Sequence, residues 1–401
     1  MSTNKKEYYI GSRQLETWEA IFCPMHCCQW IVRPKPWVSC LCVIWTEERE
    51  CPDCLNNALN VDPNLAKNEL EESFMETSNI KHQIEIEQLA NPNNNNNNNN
   101  NSNNSNSNVD WNNINNNLTI NGNGHIYSLC ISEDSNTIIS GSNNNDLILY
   151  SIQDGSCLRS LTGHGKGISS ICVKGDNIIT GSEDLRIGIW SLKDGNLKQT
   201  LIGHTGAIND CIICPNDDDI ILSCSFDSTV KKWSMKEGKL LMSIVADPYS
   251  AIFAICLCKN IIITGATDIS MWSIDDGTFI RSCKGHNGAI MSICCTQSNE
   301  TFITGSADNS IKVWNIRNGS LVRTMYGHTD VIYKVFITPS GNEIISCSRD
   351  KTIKIWSLWS LKKDNGLINT LTGHSDWVKS LYVKENMIIS GSFDGAIKIW
   401  S

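Results

Sequence analysis

The segment that decides the fold covers residues 327–357 and reads GHTDVIYKVFITPSGNEIISCSRDKTIKIWS. It opens on Gly-His, passes through two short apolar stretches, turns at Asp350 and reaches Trp356 six residues later. Apolar and polar residues alternate in it, as at 353–356. Alternation with a period of two, in short stretches separated by turn residues, predicts antiparallel strands.

Four other segments repeat this order at a spacing of about 40 residues, which is the signature of a repeat architecture. The five Gly-His pairs begin at Gly163, Gly203, Gly285, Gly327 and Gly373. The offset from Asp to Trp is the same in every copy: Asp184/Trp190, Asp227/Trp233, Asp308/Trp314, Asp350/Trp356 and Asp394/Trp400. A constant offset indicates one structural unit used repeatedly.

These segments resemble WD40 repeats, which open on Gly-His and close on Trp. The resemblance covers about 118–401 and implies four-stranded blades around a central axis. Two further copies are degenerate. In one, Asn144 and Tyr150 replace Asp and Trp; in the other, Asp268 precedes Trp272 by only four residues. The seven predicted blades start near residues 122, 163, 203, 247, 285, 327 and 373.

The last repeat contains only three strands of its own, and the stretch at 118–120 is expected to supply the fourth. Closing the ring in this way removes exposed strand edges. Alignment of the first repeat on Ile126 places Gly122 at the histidine position and His125 at the mouth of the inner strand. We therefore expect an all-β fold, a closed seven-bladed WD40 β-propeller.

Each regular repeat carries a tetrad of His, Ser or Thr, Asp and Trp. The resemblance implies that each tetrad is a structural hydrogen-bond chain, which stabilises a blade when every member is satisfied. The predicted tetrads are His164, Thr180, Asp184 and Trp190; His204, Ser223, Asp227 and Trp233; His286, Thr304, Asp308 and Trp314; His328, Ser346, Asp350 and Trp356; and His374, Ser390, Asp394 and Trp400. Five near-identical copies argue against an active site, so we expect no catalytic residue and no enzyme.

Propellers of this family usually bind partners on the face that carries the Gly-His loops and the Asp turns, here called the top face. Trp377, Phe393 and Arg349 are the large residues predicted there, and all three are expected to be exposed. Because Trp and Arg dominate interface hot spots, they predict a peptide-binding patch, with Arg349 taking an acidic or phosphorylated residue. The alternative is that they cap the axial channel. The predicted partner-binding residues are Trp377, Arg349, Phe393, Phe226, Tyr249, Glu183 and His125.

The chain has 401 residues and a formal net charge of −9. It has no long basic tract, which argues against nucleic-acid binding. It also has no apolar run of the roughly 18–20 residues that span a membrane, and its first residues do not read as a secretory signal. We expect a cytoplasmic protein, with the nucleus as the alternative, that binds protein or peptide partners. The sequence leaves the oligomeric state open.

Seven of the 19 cysteines lie in the predicted Cys/Trp-rich module at 1–64. Cys-x-x-His and Cys-x-x-Cys pairs suit the tetrahedral geometry of structural zinc. The predicted zinc ligands are Cys23, His26, Cys51 and Cys54, with a second site drawn from Cys27, Cys28, Cys40 and Cys42. A Cys-rich apolar patch and palmitoylation near 37–45 are the alternatives. No cofactor is expected for the propeller.

Two segments separate this module from the repeats. Residues 65–90 place apolar residues among many glutamates, which predicts an amphipathic helix or helix pair. Residues 91–117 include nine consecutive asparagines, at 93–101. Such a tract cannot bury enough apolar surface to fold, which predicts a disordered linker.

The favoured function is a non-catalytic scaffold or adaptor. The propeller would bind a partner on its top face, and the tethered Cys-rich module would raise the effective concentration of a second contact. One alternative is a substrate-recognition component of a ubiquitin ligase, although the cysteine order does not match a RING and no F-box is recognisable. Another is the targeting subunit of a signalling kinase, although the chain carries no kinase signature.

Overall fold

The computed structural model describes residues 110–360 and 365–401, together with four short strands further upstream. The chain divides into two units, Met1–Asn104 and Ser105–Ser401. The upstream strands are β1 (Tyr9–Ile10), β2 (Arg13–Gln14), β3 (Trp18–Ile21) and β4 (Ile31–Pro34), paired β1 with β2 and β3 with β4. The predicted zinc ligands, the helix at 65–90 and the asparagine tract lie outside the described residues.

The second unit consists of seven four-stranded antiparallel sheets, here called blades 1 to 7. From the inner to the outer strand, blade 1 is β6 (Ile126–Ile131), β7 (Thr137–Ser142), β8 (Leu147–Ser151) and β9 (Cys157–Leu161). Blade 2 is β10 (Ile168–Lys174), β11 (Asn177–Ser182), β12 (Arg186–Ser191) and β13 (Leu197–Ile202). Blade 3 is β14 (Ile208–Cys214), β15 (Asp217–Ser225), β16 (Thr229–Ser234) and β17 (Lys239–Val245). Blades 4 and 5 are β18 (Ala254–Cys258), β19 (Ile261–Gly265), β20 (Ile269–Ser273) and β21 (Phe279–Cys283); and β22 (Ile290–Cys295), β23 (Thr301–Ser306), β24 (Ser310–Asn315) and β25 (Leu321–Tyr326).

Blade 6 is β26 (Ile332–Ile337), β27 (Glu343–Ser348), β28 (Ile353–Ser357) and β29 (Leu367–Leu371). Blade 7 is β30 (Val378–Lys384), β31 (Met387–Ser392), β32 (Ala396–Trp400) and, from the other end of the unit, β5 (Asn116–Asn121). Each inner strand packs against the inner strand of the next blade, and β30 packs against β6. This contact closes the ring and confirms the predicted all-β seven-bladed propeller. Among the described residues, no helix is long and apolar enough to cross a membrane.

The core lies between neighbouring blades. One cluster joins Ile303 and Val313 of blade 5 to Ile332 and Ile344 of blade 6, and all four side chains are almost fully buried. The alternating pattern of the sequence explains this arrangement, because each strand sends its apolar residues toward an adjacent sheet. Every blade therefore depends on both of its neighbours.

A β-bulge follows the first residue in six of the seven inner strands. The register between β26 and β27 shifts between Ile332 and Lys334, which leaves Tyr333 outside the ladder. The same shift in β30 leaves out Lys379. Bulges re-aim side chains at the ends of strands. Here they set the direction of the second residue of these six inner strands.

The ring is closed by β5, which pairs antiparallel with β32 from Ala396↔Asn121 to Trp400↔Asn116. The backbones of Asn115 and Ser401 extend the pairing, since each N–H donates to the other's carbonyl, at 3.3 and 3.1 Å. The strand expected at 118–120 therefore exists and is longer than predicted.

The propeller also includes residues before the expected boundary at 118. Trp111 and Ile114 are buried between blades 6 and 7, and Asn369 Nδ2 donates to the carbonyls of Trp111 and Asn112, at 2.9 and 3.2 Å. The linker predicted over 91–117 therefore does not include 110–117. Because asparagines surround Trp111 and Ile114, composition alone did not indicate that these two apolar side chains anchor the segment.

Trp111 occupies the place that a turn residue fills in the complete blades. In blade 2, Leu192 lies five residues before Leu197, which pairs with the blade tryptophan. In blade 7, Trp111 lies five residues before Asn116, which pairs with Trp400. Leu192 packs against blade 1 and Trp111 against blade 6. The segment at 111–114 thus rebuilds the turn between the third and fourth strands.

Replacing Trp111 by alanine is expected to lower the free energy of unfolding by about 3 kcal/mol, because it empties a buried indole site at the closure of the ring. Urea unfolding of the full chain, followed by tryptophan fluorescence, measures the change. Asn112→Ala is the control, since the Asn112 side chain is exposed. Equal midpoints for the two variants would contradict the anchoring role of Trp111.

Candidate functional site

The five regular blades carry complete hydrogen-bond chains. In each, the Trp Nε1–H donates to the Ser or Thr hydroxyl at 2.8–2.9 Å, and that oxygen lies 2.7–2.8 Å from His Nε2. His Nδ1 lies 2.7–2.9 Å from an Asp carboxylate oxygen. All twenty predicted tetrad residues are therefore brought together, blade by blade.

The order of donors in each chain is satisfied by a neutral histidine. The hydroxyl accepts from the indole, so its own proton is available to His Nε2, and Nδ1–H is left to donate to the carboxylate. Burial lowers the pKa of His204, His286, His328 and His374, although the adjacent carboxylates oppose the shift. A neutral, fully hydrogen-bonded imidazole has a structural role and no free nitrogen for proton transfer.

Blades 1 and 4 lack the full chain. In blade 4, Trp272 Nε1 still donates to Thr264 Oγ1 at 3.2 Å, while Asp268 pairs with Lys284 at 3.5 Å. In blade 1, Asn144 Nδ2 donates to Asn123 Oδ1 at 3.1 Å. Gly122 stands in blade 1 where the five regular blades have His, so no imidazole is present there to bond with Asn144.

A backbone hydrogen bond fixes the predicted partner-binding residues at the top face. The residue before Asp donates its N–H to the residue before the inner strand, as Phe393 does to Trp377 at 2.9 Å and Arg349 does to Val331 at 2.8 Å. Asn143 donates in the same way to His125, at 3.1 Å. Both predicted positions of a blade therefore lie together.

Three blades contribute to one stacked row, here called the Trp377 row: Arg349, Trp377, Phe393 and His125. The Arg349 guanidinium lies 4.1 Å from the centre of the Trp377 ring. The ring centres of Trp377 and Phe393 are 5.1 Å apart, and those of Phe393 and His125 are 4.9 Å apart. The row runs from blade 6 across blade 7 to blade 1, so a single extended segment could contact all of it.

The expectation that Trp377, Phe393 and Arg349 would all be exposed is only partly met. Trp377 and Phe393 are half-buried because they cover each other, and the Arg349 side chain is 41% exposed. Arg349 also pairs with Asp330 at 3.6 Å, so its charge is already compensated. Neighbours that lie in different blades are not adjacent in sequence, which is why the prediction missed this mutual cover.

The other predicted binding residues lie apart from the row. Phe226 is exposed and packs edge-to-face against Phe253, with ring centres 5.6 Å apart. Tyr249 is 95% exposed, and Glu183 is exposed on blade 2. These three residues do not extend the Trp377 row.

A cleft of about 390 Å³ opens at the end of the row, where blades 7 and 1 meet. Its lining includes Gly122, Gly124, His125, Asn143 and Phe393. Gly122 allows neighbouring atoms to approach its backbone closely, since a Cβ there would lie 2.6 Å from the Ile126 side chain. The cleft shares His125 and Phe393 with the Trp377 row, so it lies beside the aromatic rings.

Three residues at the channel mouth were missed by the sequence: Tyr127, Tyr333 and Lys379. The Tyr127 and Phe393 ring centres are 5.5 Å apart, those of Tyr333 and Trp377 are 6.4 Å apart, and Lys379 Nζ lies 4.1 Å from the centre of the Tyr333 ring. All three are the second residue of an inner strand. Only the bulge sends these positions toward the top face, and the apolar pattern does not reveal a bulge.

Deeper in the channel, one ion pair crosses the ring. Lys334 Nζ of blade 6 lies 3.5 Å from the Asp210 carboxylate of blade 3, and Ser170 Oγ donates to the same carboxylate at 2.7 Å. Burial opposes the charge on Lys334, but the Asp210 carboxylate outweighs it and raises the pKa of the amine. The pair restricts the channel below the mouth.

Within the described residues, no group of three or more His, Cys, Asp or Glu side chains is arranged to hold a metal ion. The described cysteines are all free thiols. The zinc site at Cys23, His26, Cys51 and Cys54 stays a prediction, because those residues lie outside the part that the structure describes.

Comparison with known proteins adds one relative and one family. Autophagy-related protein 16 of Arabidopsis thaliana is 21% identical over 190 residues, which are 46% of this chain and 29% of that protein. The chain thus matches less than a third of the relative's length.

The WD40 family (WD domain, G-beta repeat) matches six segments: 116–151, 155–191, 195–234, 277–315, 319–357 and 365–401. These segments omit most of blade 4, whose tetrad is incomplete, and together they cover more than half of the sequence. The chain therefore belongs to the WD40-repeat family.

Proposed function

We propose that this protein is a non-catalytic interaction scaffold whose propeller binds an extended segment of a partner protein along the Trp377 row. The observation that carries the proposal is the continuity of the row with the cleft between blades 7 and 1. Hot-spot residues of interfaces are typically aromatic or Arg side chains beside a pocket. The row offers Arg349, Trp377 and Phe393, and the cleft of about 390 Å³ offers room for one side chain of the partner.

The half-burial of these rings also supports a binding surface. Rings that hold one another in place lose little conformational freedom when a partner docks, and such preorganisation increases affinity. A cap over the channel is the competing role. It would require the rings but not the adjacent cleft.

Partner capture on the full chain tests the proposal. The triple variant Trp377→Ala, Arg349→Ala, Phe393→Ala is expected to lose at least tenfold of a defined set of partners, because truncation of a hot spot costs about 2 kcal/mol or more. Quantitative mass spectrometry of captured proteins measures the loss. Cooperative unfolding of the variant must first be verified.

A matched control alters the rim instead of the top face. Leu240, Phe279 and Leu321 are exposed on the outer strands of blades 3, 4 and 5. Their triple alanine variant removes a similar apolar area and is expected to retain the partners. If both triple variants retain the same partners, the Trp377 row is only a channel cap and the proposal fails.

A role as an adaptor in autophagy is the second candidate, and it is supported by the similarity to a protein named autophagy-related protein 16. The same capture experiment addresses it through the presence of autophagy-related proteins among the partners. Conjugating enzymes among them would instead favour the ubiquitin-ligase alternative, and a kinase would favour the targeting-subunit alternative. The cytoplasmic location, the zinc module and the linker stay predictions.

A further inference from the structure

The channel mouth holds a lysine, Lys379, that lies within ion-pair distance of no carboxylate among the described residues. Lys379 is the second residue of β30 and lies two residues after Trp377. Its Nζ rests over the Tyr333 ring at 4.1 Å, and it forms no ion pair with any carboxylate in the described part of the chain. The bulge at the start of β30 takes Lys379 out of the strand ladder. Its amine therefore belongs to the channel mouth.

Its surroundings make an isolated positive charge costly. The pKa of Lys379 is lowered to about 8, mainly by burial and also by the nearby charge of Lys334, while Cys347 and Glu183 act in the opposite direction. Lys334 is already paired with Asp210 at 3.5 Å. A cation–π contact compensates only part of the lost hydration of an ammonium group. A bound anion would compensate more.

The neighbouring Arg349 is not the cation that would bind this anion. Arg349 pairs with Asp330 at 3.6 Å and stacks on Trp377 at 4.1 Å, so its guanidinium is engaged on two sides. Among the described residues beside the Trp377 row, Lys379 is therefore a cation without a carboxylate partner. It is a single charge, with Glu183 in the same electrostatic neighbourhood. A carboxylate matches one ammonium, whereas a phosphate carries about −1.5 to −2 and is best held by an arginine fork.

We propose that the partner segment bound along the Trp377 row is acidic, and that one Asp or Glu carboxylate of it enters the channel mouth and pairs with Lys379 Nζ. An apolar side chain next to that residue lies against Trp377 and Phe393. This inference rests on the proposed function and adds to it the chemistry of the partner. The contact is an ion pair between one ammonium and one carboxylate, formed where the rings exclude part of the water.

Selection of a phage-displayed random dodecapeptide library on the immobilised full chain provides the probe. Peptides selected by the unaltered protein are expected to carry Asp or Glu at a fixed spacing from an aromatic or aliphatic residue. Changing that acid to its amide is expected to weaken binding of a synthetic peptide at least tenfold. Lys379→Met, which keeps the apolar stem, is expected to weaken the acidic peptide equally and to leave the amide peptide unchanged. Lys379→Glu is expected to prefer a peptide with Lys in place of the acid.

Lys354→Met is the matched control. Lys354 Nζ donates to Thr370 Oγ1 at 3.0 Å on the outer strands of blade 6, away from the channel, so its variant should bind within twofold of the unaltered protein. All variants must unfold cooperatively, and Lys379→Gln serves as the second neutral variant if Lys379→Met does not.

The outcomes separate this inference from the proposed function. If selected peptides depend on the Trp377 row but bind Lys379→Met within twofold, the acidic segment is wrong and the proposed function stands. If a phosphoserine peptide binds more tightly than its glutamate counterpart, the carboxylate assignment is overturned. If the triple variant of the row binds the same peptides, or the library yields none that depend on the row, both proposals fail.

Discussion

Replacing His328 by alanine is expected to lower the free energy of unfolding by about 3–5 kcal/mol. The imidazole connects the Asp350 carboxylate at 2.7 Å to the Ser346 hydroxyl at 2.8 Å, and that hydroxyl accepts from Trp356 Nε1. The His328 and Asp350 side chains are only 0% and 7% exposed. Removing the ring leaves a buried carboxylate without its main partner, and that loss is larger than the cost of the cavity alone.

Urea unfolding of the full chain measures this effect, and His125→Ala is its control. His125 is exposed, outside any tetrad, and bonded to one backbone carbonyl, that of Phe393. Its replacement should cost about 1 kcal/mol or less. If the two histidine variants lose the same stability, the tetrads are not the stabilising element that their geometry indicates.

Acidification is expected to destabilise the propeller steeply below pH about 6.5. Burial keeps the pKa of His204, His286, His328 and His374 below that of a free histidine. Below pH 6.5 the unfolded chain therefore binds more protons than the folded chain, so stability falls as the pH falls. Each such histidine contributes up to about 1.4 kcal/mol per pH unit, until the folded form is protonated as well.

The carboxylates of the same tetrads make stability depend on pH in a second range, below that of the histidines. Burial opposes ionisation of Asp184, Asp227 and Asp308, but their hydrogen bonds outweigh it and hold each pKa at about 2. A depressed carboxyl pKa stabilises the fold above the unfolded value, and that contribution disappears as the pH falls toward 2. In both pH ranges the free energy of unfolding falls as the pH falls, so no compensating gain in stability is expected on the acid side.

Urea midpoints measured from pH 8 to pH 5 test this prediction, because this interval isolates the histidines from the carboxylates. The midpoint should fall continuously below pH 6.5. The His328→Ala variant should show a shallower fall, since one of the titrating groups is gone. A midpoint that is independent of pH between 7 and 5 would show that the histidines are not neutral and buried as described.

The repeated part of the fold could be predicted from sequence because its signal is geometric. The number of residues from Asp to Trp is constant when the turn keeps a constant length, and the offset from Asp350 to Trp356 shows that length directly. Blade 4 has the same architecture with a shorter turn at Asp268. The tetrads followed from the resemblance, and the hydrogen bonds place the same residues in contact.

The candidate site was predictable only in part. Trp377 and Phe393 were found because they are large residues in columns of mostly small ones. Tyr333 and Lys379 were missed, since a bulge redirects them and a bulge leaves no mark on an alternating pattern. Trp111 was missed because it stands among asparagines, where composition suggests a tether. In each case the missing information was a contact between residues distant in sequence.

The pairing of β5 with β32 also sets how the propeller responds to mechanical load. Asn116 lies opposite Trp400, and Asn115 meets Ser401, so β5 begins at the end of the seam where β32 ends. A pulling force between residue 110 and residue 401 acts perpendicular to the strands, along their hydrogen bonds, and breaks the pairs one after another rather than together. The seam therefore unzips at low force, and the Trp111 side chain is the first resistance it meets.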